Sequence, residues 1–165
     1  MEKRPRIDIE KSWLQKVFDL VGFTFLLLGF VYILLEWSNV PSRVPIHFNV
    51  RGESDLWGPK SSLIILPLTG VILWFALGLL ERYPHVYNYV VKITKGNAEI
   101  QYRSAVVLIR FLKNAIAMMF AYLSVISVQI AKGLENTSQE WVLPIFLTAI
   151  FGAIIVYLFR SIRWR

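Results

Sequence analysis

Between Val40 and Lys60 the chain reads VPSRVPIHFNVRGESDLWGPK, which joins His47, Asn49, Glu53, Asp55 and Lys60 to turn formers such as Pro41, Pro45, Gly52 and Gly58. A histidine near carboxylates is the residue set of acid–base chemistry and of metal ligation. Ile46, Phe48 and Val50 alternate with His47 and Asn49, the period of a short strand. Asn49-Val50-Arg51-Gly52 reads as a turn in which Gly52 is free to take positive φ. A second extended piece from Ser54 to Trp57 would complete a hairpin. His47, Asn49, Gly52, Glu53, Asp55, Trp57 and Lys60 then form the candidate binding surface. A zinc site would draw on His47, Glu53 and Asp55, since one histidine leaves carboxylates to complete the ligand set. Calcium held by Asn49, Glu53 and Asp55 would lack the spaced acidic loop such sites use. The plainest reading has His47 and Asp55 pinning the hairpin by a hydrogen bond. No nucleophile stands beside a base, and no cofactor is expected.

The elements that must hold this stretch are apolar. The chain has 165 residues, 56% of them hydrophobic, and a mean hydropathy of +0.53. Val17 to Leu35 before the polar stretch and Leu63 to Leu80 after it are each long enough to cross a bilayer, which takes about 17 to 25 residues of helix. Asn114 to Ala131 and Trp141 to Phe159 are two further runs of that kind. Lipid leaves backbone groups no partner but their own helix, so each run is expected to be helical. The expected fold is an all-α integral membrane protein, a four-helix transmembrane bundle with a small extracytoplasmic hairpin cap between helices 1 and 2. One membrane domain accounts for residues 1–165. Pro67 is expected to kink the second span near Leu63, Ser61 or Ser62 to cap it, and Pro144 to sit in the first turn of the fourth.

Charge placement sets the expected orientation. Fourteen Lys and Arg residues lie before the first span, between the second and third, or after the fourth; four lie in the other connections. Positive charge favours the cytoplasmic side. Both termini and residues 81–113 are therefore expected in the cytoplasm, the cap 40–60 outside the cell membrane, and the net charge of +7 follows topology rather than nucleic acid. With no cysteine, thiolate chemistry and disulfides are excluded. The charged lead-in Met1 to Lys16 and the length of the first run argue against a cleaved signal peptide.

In the loop, Glu99 and Arg103 have ion-pair spacing, while Arg103, Arg110 and Lys113 share one face of a helix that would run into the third span. That face suits anionic headgroups or a docking cytoplasmic regulator. Asp19, Ser124, Ser127 and Gln129 are polar at membrane depth, where such residues mark transport paths or bond between helices.

The cap sequence resembles the signature of a bacterial membrane domain of unknown function (DUF1648) in the SdpI-like proteins: P-x-H-F-N, then glycine, then aspartate, an aromatic residue and lysine. Pro41, Pro45, His47, Phe48, Asn49, Gly52, Asp55, Trp57 and Lys60 occupy those positions. Asn88 to Arg103 is similar to the loop before the family's third helix, departing from it at Val90 and at Lys95-Gly96. The resemblance implies the fold and topology above. It also implies a non-enzymatic role in immunity, in which the cap meets a secreted peptide toxin or envelope component and the protein captures a repressor at the membrane. A metal-assisted enzyme centred on His47, and a small transporter subunit built on Asp19 and Pro67, are the competing readings.

Overall fold

The computed structural model describes residues 4–49, 54–134 and 139–165. Among these, four helices are long and apolar enough to span a membrane: α1, Trp13–Glu36; α2, Ile65–Leu80; α3, Ala98–Ala131; and α4, Gln139–Arg163. A two-stranded antiparallel sheet of β1, Arg43–Phe48, and β2, Ser54–Pro59, joins α1 to α2. The helical class and the hairpin agree with the expectation from sequence.

Helix α1 starts one turn before the expected span because Ser12 and Gln15 form a capping box. Ser12 Oγ accepts the Gln15 backbone N–H, and Gln15 Oε1 accepts that of Ser12 at 3.0 Å. Two of the helix's otherwise unpaired donors are thereby satisfied. Its 24 residues rise about 36 Å, enough to cross a hydrocarbon core of about 30 Å.

Inside lipid, burying one more leucine against protein gains little, so helices associate where their backbones approach closely. Gly22, Leu26, Gly29 and Ile33 are the buried face of α1. A Cβ on Gly29 would stand 3.0 Å from the Ala121 Cα, and one on Gly22 would collide with the Asn114 side chain. Positions 22 and 29 thus meet 114 and 121, and α1 runs parallel to α3. Helix α2 runs the other way, with Leu63 just ahead of it packed on Ile33 and Val128 and Glu81 at its far end. Helix α4 is hydrogen-bonded to α3 near its C-terminal end: Ser161 Oγ donates to Gln101 Oε1 at 2.7 Å, and Gln101 Nε2 donates to the carbonyls of Ser161 and Trp164.

Three local expectations are corrected. A 3-10 turn over Lys60–Ile64 precedes α2, so Pro67 falls in the first turn of the α-helix, where a missing N–H is tolerated, rather than inside it. No side chain caps either element, so neither Ser61 nor Ser62 does so. Helix α4 begins at Gln139, which puts Pro144 beyond the first turn, with Thr148 Oγ1 donating to the Pro144 carbonyl. The helix expected to carry Glu99, Arg103, Arg110 and Lys113 does run into the third span, α3 being one 34-residue helix.

Candidate functional site

The cap is tied to the bundle by its apolar underside. Val40, Val44, Leu63, Ile33, Val128 and Ala131 form one buried cluster that joins β1 to the ends of α1, α2 and α3. Lys60 Nζ donates to the Trp37 carbonyl at 3.1 Å and lies 4.9 Å from the centre of the Trp37 ring. Lys132 at the end of α3 pairs with Glu36 at the end of α1 at 2.7 Å. On the outer surface His47 Nδ1 lies 2.6 Å from Asp55 Oδ1, with the two side chains 64% and 46% exposed. A carboxylate accepts, so Nδ1 is the donor in this bond. Ile46, Leu56 and Trp57 are exposed beside the pair.

Of the residues expected to converge, the structure brings His47 and Asp55 together and leaves Trp57 exposed near them. Lys60 turns away to Trp37, which removes it from the outer face. Asn49 is half-buried, and Gly52 and Glu53 lie outside the described residues. The triad of His47, Glu53 and Asp55 is therefore represented by its histidine and aspartate, and no group of three His, Cys, Asp or Glu side chains among the described residues could hold a metal ion.

A second cluster lies at the opposite end of the bundle, about 9 Å along α1 from its start. Lys113 Nζ contacts Asp19 Oδ1 at 2.7 Å and Glu81 Oε1 at 2.6 Å. The other oxygen of Glu81 accepts from Arg110 Nε at 2.9 Å. Lys11, from the segment before α1, reaches Asp19 Oδ2 at 2.5 Å and Glu81 Oε2 at 3.1 Å. Asn114 Nδ2 donates to Asp19 Oδ1 at 2.9 Å, and Asn114 Oδ1 accepts from Trp74 Nε1 at 3.2 Å. Lys113 also stands 4.7 Å from the centre of the Trp74 ring, a cation–π distance. Lys113 and Glu81 are 1% and 2% exposed, and buried charges of this kind persist only when paired and hydrogen-bonded.

This cluster revises the docking face expected of Arg103, Arg110 and Lys113. Arg103 is exposed and pairs with Glu99 at 3.3 Å, whereas Arg110 and Lys113 turn into the bundle and are unavailable to headgroups or a partner. The reason is electrostatic: Asp19 and Glu81 would otherwise be buried without counter-ions. Ser124 bonds within its own helix, to the Phe120 carbonyl, rather than across helices. Glu81 escaped sequence reasoning altogether. Its signal was level rather than motif: charges at the same end of three successive spans must share one depth.

Fold and sites together define a multi-pass helical membrane protein with a hairpin cap at one end and a buried ion cluster at the other. Residues 24–71, from within α1 through the cap into α2, match the family described as a domain of unknown function, DUF1648. An uncharacterized protein of Archaeoglobus fulgidus is 35% identical over 69 residues, which cover 37% of this chain and 38% of that relative. No solved structure matches.

Proposed function

We propose that the chain is a non-enzymatic receptor of the SdpI-like kind in the plasma membrane, with cytoplasmic termini and an outward cap that binds a secreted peptide toxin or another envelope component. The observation that carries this reading is the exposed His47–Asp55 pair beside Ile46, Leu56 and Trp57, on a hairpin whose underside is anchored in the bundle. Rigid anchoring beneath exposed aromatic, aliphatic and charged groups is the makeup of a peptide-binding surface. The excess of Lys and Arg in the connections at the termini's end supports the orientation. Immunity, sensing and recruitment of a cytoplasmic regulator belong to this same reading. The test is expression in a sensitive bacterial host challenged with a panel of secreted peptide toxins. Protection that His47→Ala and Asp55→Ala abolish at unchanged membrane abundance supports the reading. Protection unaffected by those variants removes the cap from the mechanism, and protection against no member of the panel overturns the immunity role.

One observation favours a second reading, a small transporter subunit: Asp19 meets Lys113 across two helices at membrane depth, where ionisable groups commonly line a substrate or ion path. Normal function of Asp19→Asn, in an assay of whatever activity the parent displays, counts against it.

A further inference from the structure

The segment before α1 is a strap with no helix or strand from Arg4 to Lys11, held at both ends by side chains and between them by the Ile9 carbonyl, which accepts from Arg110 Nη2 at 3.4 Å. At one end the Arg4 guanidinium donates to the carbonyls of His85 and Tyr87 at 3.2 and 2.6 Å and lies 5.6 Å from the centre of the Tyr89 ring. At the other, Lys11 bridges Asp19 and Glu81. Beside these anchors lies a polar cavity of about 510 Å³ lined by Asp8 and Glu10 of the strap and by Gly78, Glu81, Arg82 and Arg110 of the bundle.

Charge counting shows which anchor is dispensable to the core. Arg110 and Lys113 balance Asp19 and Glu81, two cations against two anions, and each cation retains a carboxylate partner in α1 or at the end of α2. Lys11 is the fifth charge, a surplus cation, and its side chain is 35% exposed. Withdrawing it leaves a neutral cluster of two buried cations and two carboxylates in which every charge keeps a partner. Buried charges are costly when unpaired, so the molecule can release the strap without dismantling the bundle.

We propose that residues 4–12 are a releasable strap, latched by Lys11 and Arg4, that closes an aqueous vestibule leading to Asp19 and Glu81. Opening gives water and small ions access to the two carboxylates from the end of the bundle that carries the termini. This gate lies at the opposite end from the cap and does not rest on the cap reading.

The chain has no cysteine, so a single introduced thiol reports alone. Gly78 lines the cavity, and a Cβ there would meet only Lys113 Cδ, at 3.9 Å. The full chain carrying Gly78→Cys, in lipid nanodiscs, is labelled with neutral iodoacetamide with and without Lys11→Gln or Arg4→Ala. Removing a nearby cation by itself lowers the thiolate fraction, so faster labelling reports access. We expect Lys11→Gln to speed labelling about tenfold or more and Arg4→Ala to speed it by a smaller factor. Equal rates in parent and variants would overturn the proposal. If Lys11→Gln does not yield a monodisperse protein, the readout becomes labelling of the Gly78→Cys chain in rising salt, which screens the exposed latch more than the buried pairs. A rate that climbs with salt supports the strap, and a salt-independent rate overturns it.

Discussion

Lys113 of α3 places its ammonium 2.7 Å from the Asp19 carboxylate of α1, and so joins two parallel helices by an ion pair within a buried polar cluster. Removing Lys113 takes one partner from each of Asp19 and Glu81 but leaves them Lys11, Asn114 and Arg110. Lys113→Met should therefore destabilise the bundle by about 1–3 kcal/mol, less than the cost of a fully stranded buried charge. Combining it with Asp19→Asn should cost less than the two single changes summed. Reversible unfolding in mixed micelles measures all three, and strict additivity would mean that the two groups do not interact.

Close helix approach makes a second prediction. Gly29 faces the Ala121 backbone, while a Cβ on Gly152 of α4 would meet nothing within 4 Å. Gly29→Ala should cost about 1–3 kcal/mol, the usual penalty for overpacking. Gly152→Ala should be neutral or stabilise by up to about 1 kcal/mol through helix propensity. The same unfolding assay compares them, and equal effects would remove close packing as the link between α1 and α3.

Docking of α4 on α3 includes buried polar bonds. Gln101 is buried and serves Ser161 and Trp164 at once. Gln101→Leu removes a buried acceptor from the Ser161 hydroxyl and the donor to two carbonyls, at about 1–3 kcal/mol for buried hydrogen bonds left unmade. Crosslinking between cysteines placed at positions 104 and 158 should fall in this variant, while the cap, at the other end, keeps its structure. Unchanged crosslinking would assign α4's position to lipid alone.

Orientation is testable on intact cells. Leu56 is exposed on the cap and Ile162 near the end of α4. A membrane-impermeant thiol reagent should label Leu56→Cys from outside and spare Ile162→Cys until the cells are opened. The reverse pattern would invert the receptor reading, because the cap would then face the cytoplasm.

The hairpin itself is separable from the ion cluster. Val44 is fully buried beneath it, so Val44→Ala should loosen the cap by about 1–3 kcal/mol of lost burial and cavity. Proteolysis within the cap should accelerate while the Gly78→Cys labelling rate stays unchanged. A change at both ends would mean that the helices couple them.

Apolar run length was enough to place four helices and the hairpin between the first two, because a bilayer tolerates few alternatives to a helix of that length. The alternation of Ile46 with His47 was enough to anticipate a strand, and the pairing of His47 with Asp55 followed from a turn placed between them. Where a charge lies along a helix is also legible, as it was for Arg110, Lys113 and Asp19. What each charge faces is not, because a side chain's direction depends on how the helix is rotated against its neighbours, and that rotation is chosen by Gly22, Gly29 and Gly70 meeting partners far away in the chain. Tertiary structure alone decided that Lys113 turns inward to Asp19 and Glu81 rather than outward to headgroups, since two carboxylates brought to one depth cannot be left in lipid without counter-ions.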